Sequence, residues 1–178
     1  TYGAQRGLVA GATTVRNTGH TAKLATTLDH LSSGRAVLGI GGAWFEREHD
    51  AYGIDFFSGH GERLDRLDEA VMLMRRLLDG ERFSHEGRFY TFHDALCSPR
   101  PIQSHLPILV GGSGPRKTLR PVALRADGWN PSGSLEEVRT RLDLLAEHSP
   151  VAGPDPGHIE QTVRFPNGLP LYRPAAAG

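Results

Sequence analysis

The sequence has a single cysteine, no excess of charge of either sign and no long apolar run. Cys97 has no second cysteine to pair with, which argues against the disulfide-bonded secreted class. Twenty basic residues balance twenty acidic ones, and this argues against nucleic acid or an anionic membrane as a partner bound through bulk charge. Apolar runs of only a few residues are too short for a membrane span, and no apolar segment of the kind found in signal peptides follows Thr1. We therefore expect a soluble, globular, cytoplasmic protein.

The motifs of metal sites and of serine hydrolases are also missing. The nine histidines are scattered, with no HExxH pattern and no His/Cys cluster, so no metal is expected. No G-x-S-x-G motif is present, and Cys97 has no basic motif beside it. Glu48 and His49 lie in a charged run that is typical of a solvated loop or first helical turn, and they are only candidates for catalysis. No catalytic residue can be assigned.

The 178 residues are enough for a little more than one domain, and apolar patterning predicts alternating strands and helices. Five short stretches are typical of strands buried in a parallel sheet: Leu8–Ala12, Ala36–Ile40, Pro107–Val110, Asp127–Asn130 and Ile159–Phe165. Helices are predicted over Thr21–Leu31, where Leu24, Leu28 and Leu31 form one stripe, over Glu62–Asp79, from Pro115 onward, and over Leu135–His148. This alternation predicts an α/β fold.

Two further segments interrupt or follow this alternation. The aromatic-rich stretch Arg82–Phe92 predicts a small inserted hairpin. Residues 1–165 are assigned to the domain, and the proline-containing range 166–178 is expected to be a disordered tail. Pro121 falls about seven residues into the helix opened by Pro115, where it would kink the helix at a cost of roughly 3 kcal/mol unless that helix is short.

The strongest chemical signal is the glycine-rich segment Val110–Thr118, which ends a predicted strand and opens a predicted helix. Glycines allow a close approach of the backbone to an anion, and Arg116 and Lys117 add positive charge. These features predict a phosphate-binding loop, and the alternative is a tight βα turn that binds nothing. Arg116 stands where the Walker A motif requires glycine, so a nucleotide-binding P-loop is not expected.

A second glycine cluster, Gly39–Trp44, follows another predicted strand. Trp44 stands where a dinucleotide-binding fingerprint requires glycine, which argues against a Rossmann site. Small residues at a strand end indicate a place where a ligand or another backbone comes close. Trp44 could be a platform for a ring or a core aromatic, and the sequence alone slightly favours the core.

Taken in order, several segments resemble the luciferase-like monooxygenase superfamily, and most of all its coenzyme F-420 (deazaflavin)-dependent oxidoreductases. The first part of the resemblance is carried by Thr26–Arg35, Val37–Trp44, Glu48 and Ala51–Gly53. The second part is carried by Glu62–Leu64, Gly87–Tyr90, Pro99–Gln103, Pro107–Gly112 and Ala126–Asn130. The resemblance extends from about Gly7 to about Val163. Thr18 and Pro121 depart from it, since the family often has proline and a helix former at these two positions.

The resemblance implies a (β/α)8 barrel that holds coenzyme F-420, or alternatively flavin mononucleotide (FMN), at the carboxyl ends of the strands. It implies a ring pocket lined by Thr13, Thr14, Gly41, Gly42 and Trp44. It implies a phosphate site at Gly111, Gly112, Ser113, Gly114 and Arg116. The implied reaction is hydride transfer to or from a small organic substrate, or oxygen activation in the flavin branch. A homo-oligomer is a further possibility.

The predicted elements amount to about five parallel βα units, whereas a closed barrel has eight. We therefore expect a partial barrel in which the family's first two units, and the last one or two, are absent. This leaves a rival hypothesis open, namely a catalytically inactive fragment or a phosphate-binding module without redox activity.

Overall fold

The computed structural model describes residues 6–114, 117–148, 159–163 and 171–173. The strands are β1 (Arg6–Ala12), β2 (Ala36–Gly41), β3 (Phe83–Glu86), β4 (Thr91–Ala95), β5 (Ile108–Gly111), β6 (Gly128–Asn130), β7 (Glu160–Val163) and β8 (Leu171–Arg173). The helices are α1 (Thr18–Leu31), α2 (Glu46–Tyr52), α3 (His60–Leu78), α4 (Leu119–Arg125) and α5 (Leu135–His148). The predicted alternation of strands and helices is confirmed.

Six strands form one sheet in the order β1-β2-β5-β6-β7-β8, and β3 with β4 forms a separate antiparallel hairpin. The pairs from β1 to β7 are parallel, and β8 runs antiparallel to β7. All four residues of β5 are buried, as expected for a strand covered on both faces. The architecture is an α/β partial barrel with an inserted hairpin, as predicted.

The core lies between this sheet and the helices α1, α3 and α4. Leucine, valine, methionine and alanine recur on one face of α3 at helical spacing, and that face is buried. Its buried apolar residues are Leu64, Leu67, Ala70, Val71, Leu73, Met74, Leu77 and Leu78. Trp129 of β6 is fully buried in the same cluster. Helix α3 thus fixes the sheet from one side, with its first turn near the carboxyl ends of the strands.

Helix α1 buries mainly small residues, and only one leucine of its predicted stripe contacts the core. Its buried residues are Thr18, Ala22, Ala25, Thr26 and Asp29. Leu28 is partly buried and packs against the core. Leu24 and Leu31 are 44% and 80% exposed. Small residues thus let α1 approach its neighbours closely, and the two outer leucines of the stripe face solvent.

Two predictions near the glycine-rich loops need correction. Helix α4 begins at Leu119 and not at Pro115, so Pro121 is its third residue. The third residue of a helix has no intrahelical partner for its backbone N–H, so proline costs little there and the expected kink does not arise. The run from Glu46 to Tyr52 is a complete helix, α2, which ends at Gly53 in the left-handed region (φ 65°).

One strand lies in the range 166–178, for which the sequence predicts a disordered tail. Residues Leu171–Arg173 form β8, and their backbone pairs with β7 in the register Thr162 to Tyr172. The rest of that range lies outside the described residues. The boundary between domain and tail at residue 165 stays a prediction.

Candidate functional site

The ends of four parallel strands lie at one level and bring their loops together. Ala12 pairs with Gly41, Gly41 with Gly111, and Gly111 with Asn130. Parallel strands place their carboxyl ends at the same edge of the sheet, and the loops that follow them form the site in most barrel enzymes. All the predicted site residues that the structure describes follow directly from this edge.

Thr13 and Thr14 continue from β1 across the end of β2. The N–H of Thr13 donates to the carbonyl oxygen of Gly41 at 2.9 Å, and its hydroxyl donates to the same oxygen at 3.3 Å. Thr13 is buried, so these bonds fix the loop after β1. Thr14 Oγ1 lies 2.6 Å from Nε2 of His49. The structure therefore joins Thr14 to one of the two residues of α2 that were catalytic candidates.

His49 is buried at 1% exposure, which the charged run around it did not predict. Its Nδ1 lies 3.0 Å from the carbonyl oxygen of Phe45, and its ring meets that of Phe56 edge-on at 4.7 Å between centroids. A carbonyl can only accept a hydrogen bond, so Nδ1 is a donor, and in the neutral tautomer that carries its proton on Nδ1 the other nitrogen, Nε2, is an acceptor. The hydroxyl of Thr14 must then donate to His49, which leaves its lone pairs available to a ligand.

Trp44 and Glu48 are both exposed. The Trp44 side chain is 78% exposed and contacts Phe45 with ring centroids 5.2 Å apart. The interpretation of Trp44 as a core aromatic is therefore wrong, because Ala43 before it takes the left-handed conformation (φ 66°) and the chain turns outward. Glu48 lies on the solvated face of α2, as such a charged run usually does.

The glycines of the site make close approaches possible. A Cβ at Gly42 would lie 2.9 Å from Leu64 Cδ2 of α3. A Cβ at Gly114 would lie 2.7 Å from Thr118 Oγ1, and one at Gly112 would lie 3.2 Å from Thr118 Cγ2. Gly112 also has φ +132°, a conformation that other residues rarely adopt. A side chain at any of these positions would require Leu64 or Thr118 to move, and at Gly112 the backbone conformation adds strain.

The loop after β5 has hydrogen bonds on one side and free N–H groups on the other. Gly112 donates its N–H to Asn130 and accepts from Trp129 Nε1 at 2.9 Å. Ser113 Oγ donates to the carbonyl oxygen of Ser132 at 2.7 Å and accepts from its N–H at 2.8 Å. Among the described residues, the backbone N–H groups of Ser113 and Gly114 have no partner. Two adjacent free N–H groups in a glycine-rich loop fit a phosphate oxygen.

The positive charge expected at this loop is only partly present. Lys117 Nζ lies 2.6 Å from a carboxylate oxygen of Asp65 and 3.2 Å from the carbonyl oxygen of Gly61, so α3 neutralises it. Arg116 lies outside the described residues, and its predicted role stays a prediction. Because α4 begins five residues beyond Gly114, its first turn does not directly continue the loop. Among the described residues, the backbone amides are therefore the main groups of this loop that are available to an anion.

Sequence reasoning missed three residues that build this edge. Ser132 supports the loop after β5, and Asn130 Nδ2 donates to the backbone and side-chain oxygens of Thr162 at 2.9 and 2.7 Å, so that β6 holds β7. The ring of Phe56 lies between α2 and α3, where it contacts His49 of α2 and Arg63 of α3. Asn130 ends the fourth predicted strand and Ser132 lies two residues beyond it, so strand-end position was the one available signal for them.

The family model for luciferase-like monooxygenases matches residues 7–167 of this chain. The chain belongs to this family. Among solved structures, an F-420-dependent secondary alcohol dehydrogenase superposes with a TM-score of 0.78 at 20% identity over 90% of this chain and 48% of that one. An F-420-dependent tetrahydromethanopterin reductase from Methanopyrus kandleri superposes with a TM-score of 0.76 at 22% identity, and the match covers 89% of this chain and 49% of that one. At these identities the two structures support the fold alone.

Curated relatives of this luciferase-like chain carry names with two different cofactors. An F-420-dependent glucose-6-phosphate dehydrogenase from Kineococcus radiotolerans is 35% identical over 147 residues, which is 81% of this chain and 42% of that protein. An FMNH2-dependent dimethylsulfone monooxygenase from Pseudomonas putida is 30% identical over 125 residues, 68% and 34% of the two chains. The chain spans between 34% and 47% of the length of the curated relatives that it matches.

Two other kinds of functional element are absent from the described residues. These residues contain no group of three or more His, Cys, Asp or Glu side chains that could bind a metal. Within the same part of the chain, no helix is both long and apolar enough to cross a bilayer.

Proposed function

We propose that this chain binds coenzyme F-420 at the carboxyl edge of its sheet, as part of an oxidoreductase that transfers hydride to or from a small organic substrate. The observation that carries the proposal is the level alignment of Ala12, Gly41, Gly111 and Asn130, which gathers both glycine clusters at one edge. Membership of the luciferase-like family supports a cofactor of the flavin or deazaflavin type at this edge.

Each part of the edge has a role in the proposed site. The free N–H groups of Ser113 and Gly114 bind the cofactor phosphate, and Arg116 adds charge there. The small residues Gly41 and Gly42 let the ring approach the strand ends, and the exposed Trp44 covers it. When bound, the cofactor would supply the hydride chemistry, and the protein supplies position and electrostatics.

Thr13 and Thr14 complete the ring pocket on the side of β1. The bonds from Thr13 to Gly41 keep the loop rigid, and Thr14 offers its lone pairs because its proton is directed to His49. An N–H or O–H of the bound ring or substrate is the group that such an oxygen would accept. We assign no proton donor or acceptor for the reaction itself.

The choice between F-420 and FMN rests on the segment Leu31–Trp44, which is closer to the deazaflavin branch. The relative at 35% identity has an F-420-dependent name, and the relative at 30% identity has an FMNH2-dependent name. The segment and the difference in identity between the two relatives both favour F-420 by a small margin, and FMN remains the alternative.

A second candidate function is a fragment that binds phosphate and has no redox activity. It is favoured by the share of the curated relatives that the chain covers, which is 42% of the F-420-dependent dehydrogenase and 34% of the FMNH2-dependent monooxygenase. A nucleotide-binding P-loop is not favoured, because Lys117 pairs with Asp65 and is not free to contact a phosphate.

Spectral titration with F-420 and with FMN separates these functions. We expect saturable changes in absorbance or fluorescence with F-420, and weaker binding of FMN. Hydride transfer to the bound cofactor would then be tested with candidate alcohols and sugar phosphates. Binding of neither cofactor would contradict the proposed function for this chain, and binding of inorganic phosphate alone would support the second candidate.

A further inference from the structure

A cleft between helix α1 and the hairpin strand β4 lies apart from the carboxyl edge of the sheet. Its volume is about 320 Å³, which is at the small end of the range of ligand pockets, roughly 300–1,000 Å³. The residues that line it come from α1, the end of α3, β4 and the two positions after β4. None of these lining residues is a candidate cofactor-binding or catalytic residue, so the cleft is a separate place for a ligand.

The most buried residues of the cleft give it an apolar floor. Leu77 of α3 belongs to the hydrophobic core, and Cys97 is 2% exposed. Phe92 and Ala95 of β4 are partly buried and pack against the same core. Leu96 adds a further aliphatic side chain to the lining. An apolar ligand body is stabilised on such a surface in proportion to the area that it removes from water.

The wall that α1 contributes is close to β4 at one end and carries positive charge. A Cβ on Gly19 would lie 3.2 Å from Cε1 of Phe92, so glycine lets the helix and the strand approach closely there. His20 and Lys23 lie one helical turn apart and line the same wall. Lys23 Nζ donates to the carbonyl oxygen of Ser98 at 3.4 Å, which places the ammonium beside the segment that follows β4.

Lys23 has no counter-charge among the described residues. No carboxylate oxygen lies within 4.0 Å of its Nζ, whereas Lys117, the other lysine of the chain, pairs with Asp65 at 2.6 Å. The single long contact to Ser98 leaves two of the three N–H donors of the ammonium available. An uncompensated cation at the rim of an apolar cleft is complementary to a ligand with an apolar body and one negative end.

We propose that this cleft binds a small aliphatic monocarboxylate, with its alkyl chain on the apolar floor and its carboxylate at Lys23. The aliphatic side chains of Leu77 and Leu96 suit an alkyl chain, and the charge of Lys23 favours a carboxylate over an alcohol of the same length. His20 adds a ring N–H donor on the same wall. The inference goes beyond the proposed function and does not depend on it, because the cleft shares no residue with the cofactor edge.

Isothermal titration calorimetry with octanoate tests the site, and octan-1-ol serves as the uncharged ligand of equal length. We expect saturable one-to-one binding of octanoate and weaker binding of octan-1-ol. Hexanoate should bind roughly tenfold more weakly than octanoate, because each buried methylene contributes a factor of about four. Absence of saturable octanoate binding to the wild type would overturn the proposal.

Lys23→Met and Arg139→Met form a matched pair for the charge. Both remove one exposed cation from a helix, but Arg139 lies on α5 and does not line the cleft. Lys23→Met should weaken octanoate binding about threefold and leave octan-1-ol binding unchanged, since an exposed ion pair contributes modestly. Arg139→Met should change neither affinity. Equal octanoate affinities of Lys23→Met and the wild type would refute the placement of the carboxylate at Lys23.

Ala95→Leu tests the position of the alkyl chain, because the larger side chain fills part of the cleft. It should weaken octanoate binding about tenfold or more, and circular dichroism shows whether the protein is folded. Leu96→Ala keeps the readout available should Ala95→Leu fail to fold. It removes apolar contact area without adding volume, so a loss of about fivefold is expected. Octanoate affinity equal to that of the wild type in either folded variant would place the ligand elsewhere and overturn the proposal.

Discussion

The two ring nitrogens of His49 have different hydrogen-bond partners, a backbone carbonyl and a hydroxyl. Nδ1 donates to the carbonyl oxygen of Phe45 at 3.0 Å, and Nε2 lies 2.6 Å from Thr14 Oγ1. Residue types alone placed His49 in a charged run that is usually solvated. Its burial depends on Phe56 and Thr14, which are 7 and 35 positions away in the chain.

We predict that Thr14 and His49 act as one unit in cofactor binding. Thr14→Val and His49→Phe should each weaken F-420 binding roughly fivefold, the value of one hydrogen bond of about 1 kcal/mol. The double variant should bind no more weakly than either single one, because the second change removes nothing further. Fluorescence titration of the four proteins measures this cycle.

His49→Gln provides the control for this pair, since its side-chain oxygen can still accept from Thr14. It should restore most of the affinity that His49→Phe loses. Fully additive effects of the two substitutions would show that Thr14 and His49 contribute independently.

Gly112 carries the second prediction at this scale. Gly112→Val should weaken cofactor binding more than tenfold. A Cβ at this position would lie only 3.2 Å from Thr118 Cγ2, and a φ of +132° is strained for valine. Equilibrium titration with F-420 measures the affinity, and urea unfolding measures the accompanying loss of stability.

Gly53→Val is the matched control for backbone strain. Gly53 also has positive φ (+65°), but nothing lies within 4 Å of its Cβ position and it ends α2 away from the loop after β5. It should lose stability and keep its affinity for the cofactor. A Gly112→Val protein that binds F-420 as tightly as the wild type would refute a phosphate role for this loop.

At the scale of elements, Asp29 ties α1 to the segment before β5 and to the start of β2. Its carboxylate is fully buried and accepts from the N–H of Ile102 at 2.7 Å, from the N–H of Gln103 at 3.0 Å and from Gln103 Nε2 at 2.7 Å. The N–H of Ala36 adds a fourth, longer bond. Burial raises the pKa of Asp29, but these hydrogen bonds outweigh it and hold the pKa below the ordinary value of 3.8.

We predict that Asp29 makes the free energy of unfolding depend on pH at and below its ordinary pKa of 3.8. A carboxyl whose pKa is lowered in the folded state stabilises the protein above its unfolded value of 3.8, and this contribution is lost as the pH falls through the folded pKa. Asp29→Asn should lower the free energy of unfolding at pH 7 by about 1–3 kcal/mol. Urea unfolding from pH 7 to pH 3 measures both effects.

The pH dependence of the free energy of unfolding, compared between wild type and Asp29→Asn, separates the contribution of Asp29 from that of the other carboxylates. The wild type should lose more stability between pH 4 and pH 3 than Asp29→Asn does. Equal losses in the two proteins would mean that Asp29 does not titrate differently in the folded and unfolded states.

At the scale of the whole molecule, exposed apolar side chains on α1 favour association between copies of the chain. The leucine stripe of α1 is exposed at Leu24 and Leu31. Exposed apolar side chains that lie on one helix face are typical of surfaces that other protein covers.

We predict concentration-dependent association of the 19.4 kDa chain in sedimentation velocity. Leu24→Lys combined with Leu31→Lys should reduce it, because lysine adds charge where the apolar stripe would be buried. Leu135→Lys changes a leucine of α5 whose exposure, 54%, lies between those of Leu24 and Leu31, and it should have little effect. A monomer at all concentrations, or an effect of Leu135→Lys as large as that of the pair, would contradict association through α1.

The order of strands and helices and the family were accessible from the sequence, because both depend on local patterns. Buried strands need short apolar stretches, α3 needs apolar residues at helical spacing, and glycines mark the strand ends at Gly41 and Gly111. The capping pair Ser134 and Glu137 was equally local, and the structure contains both of its hydrogen bonds. Elements whose signal lies within a few residues could therefore be predicted.

Only the tertiary structure decided which of these residues meet and which face each one presents. It buried His49 and exposed Trp44, and it paired Lys117 with Asp65. Each of these outcomes depends on contacts between segments that are distant in the chain. Local spacing specifies an amphipathic helix or a strand end, but the partner of a side chain is set by how the elements pack.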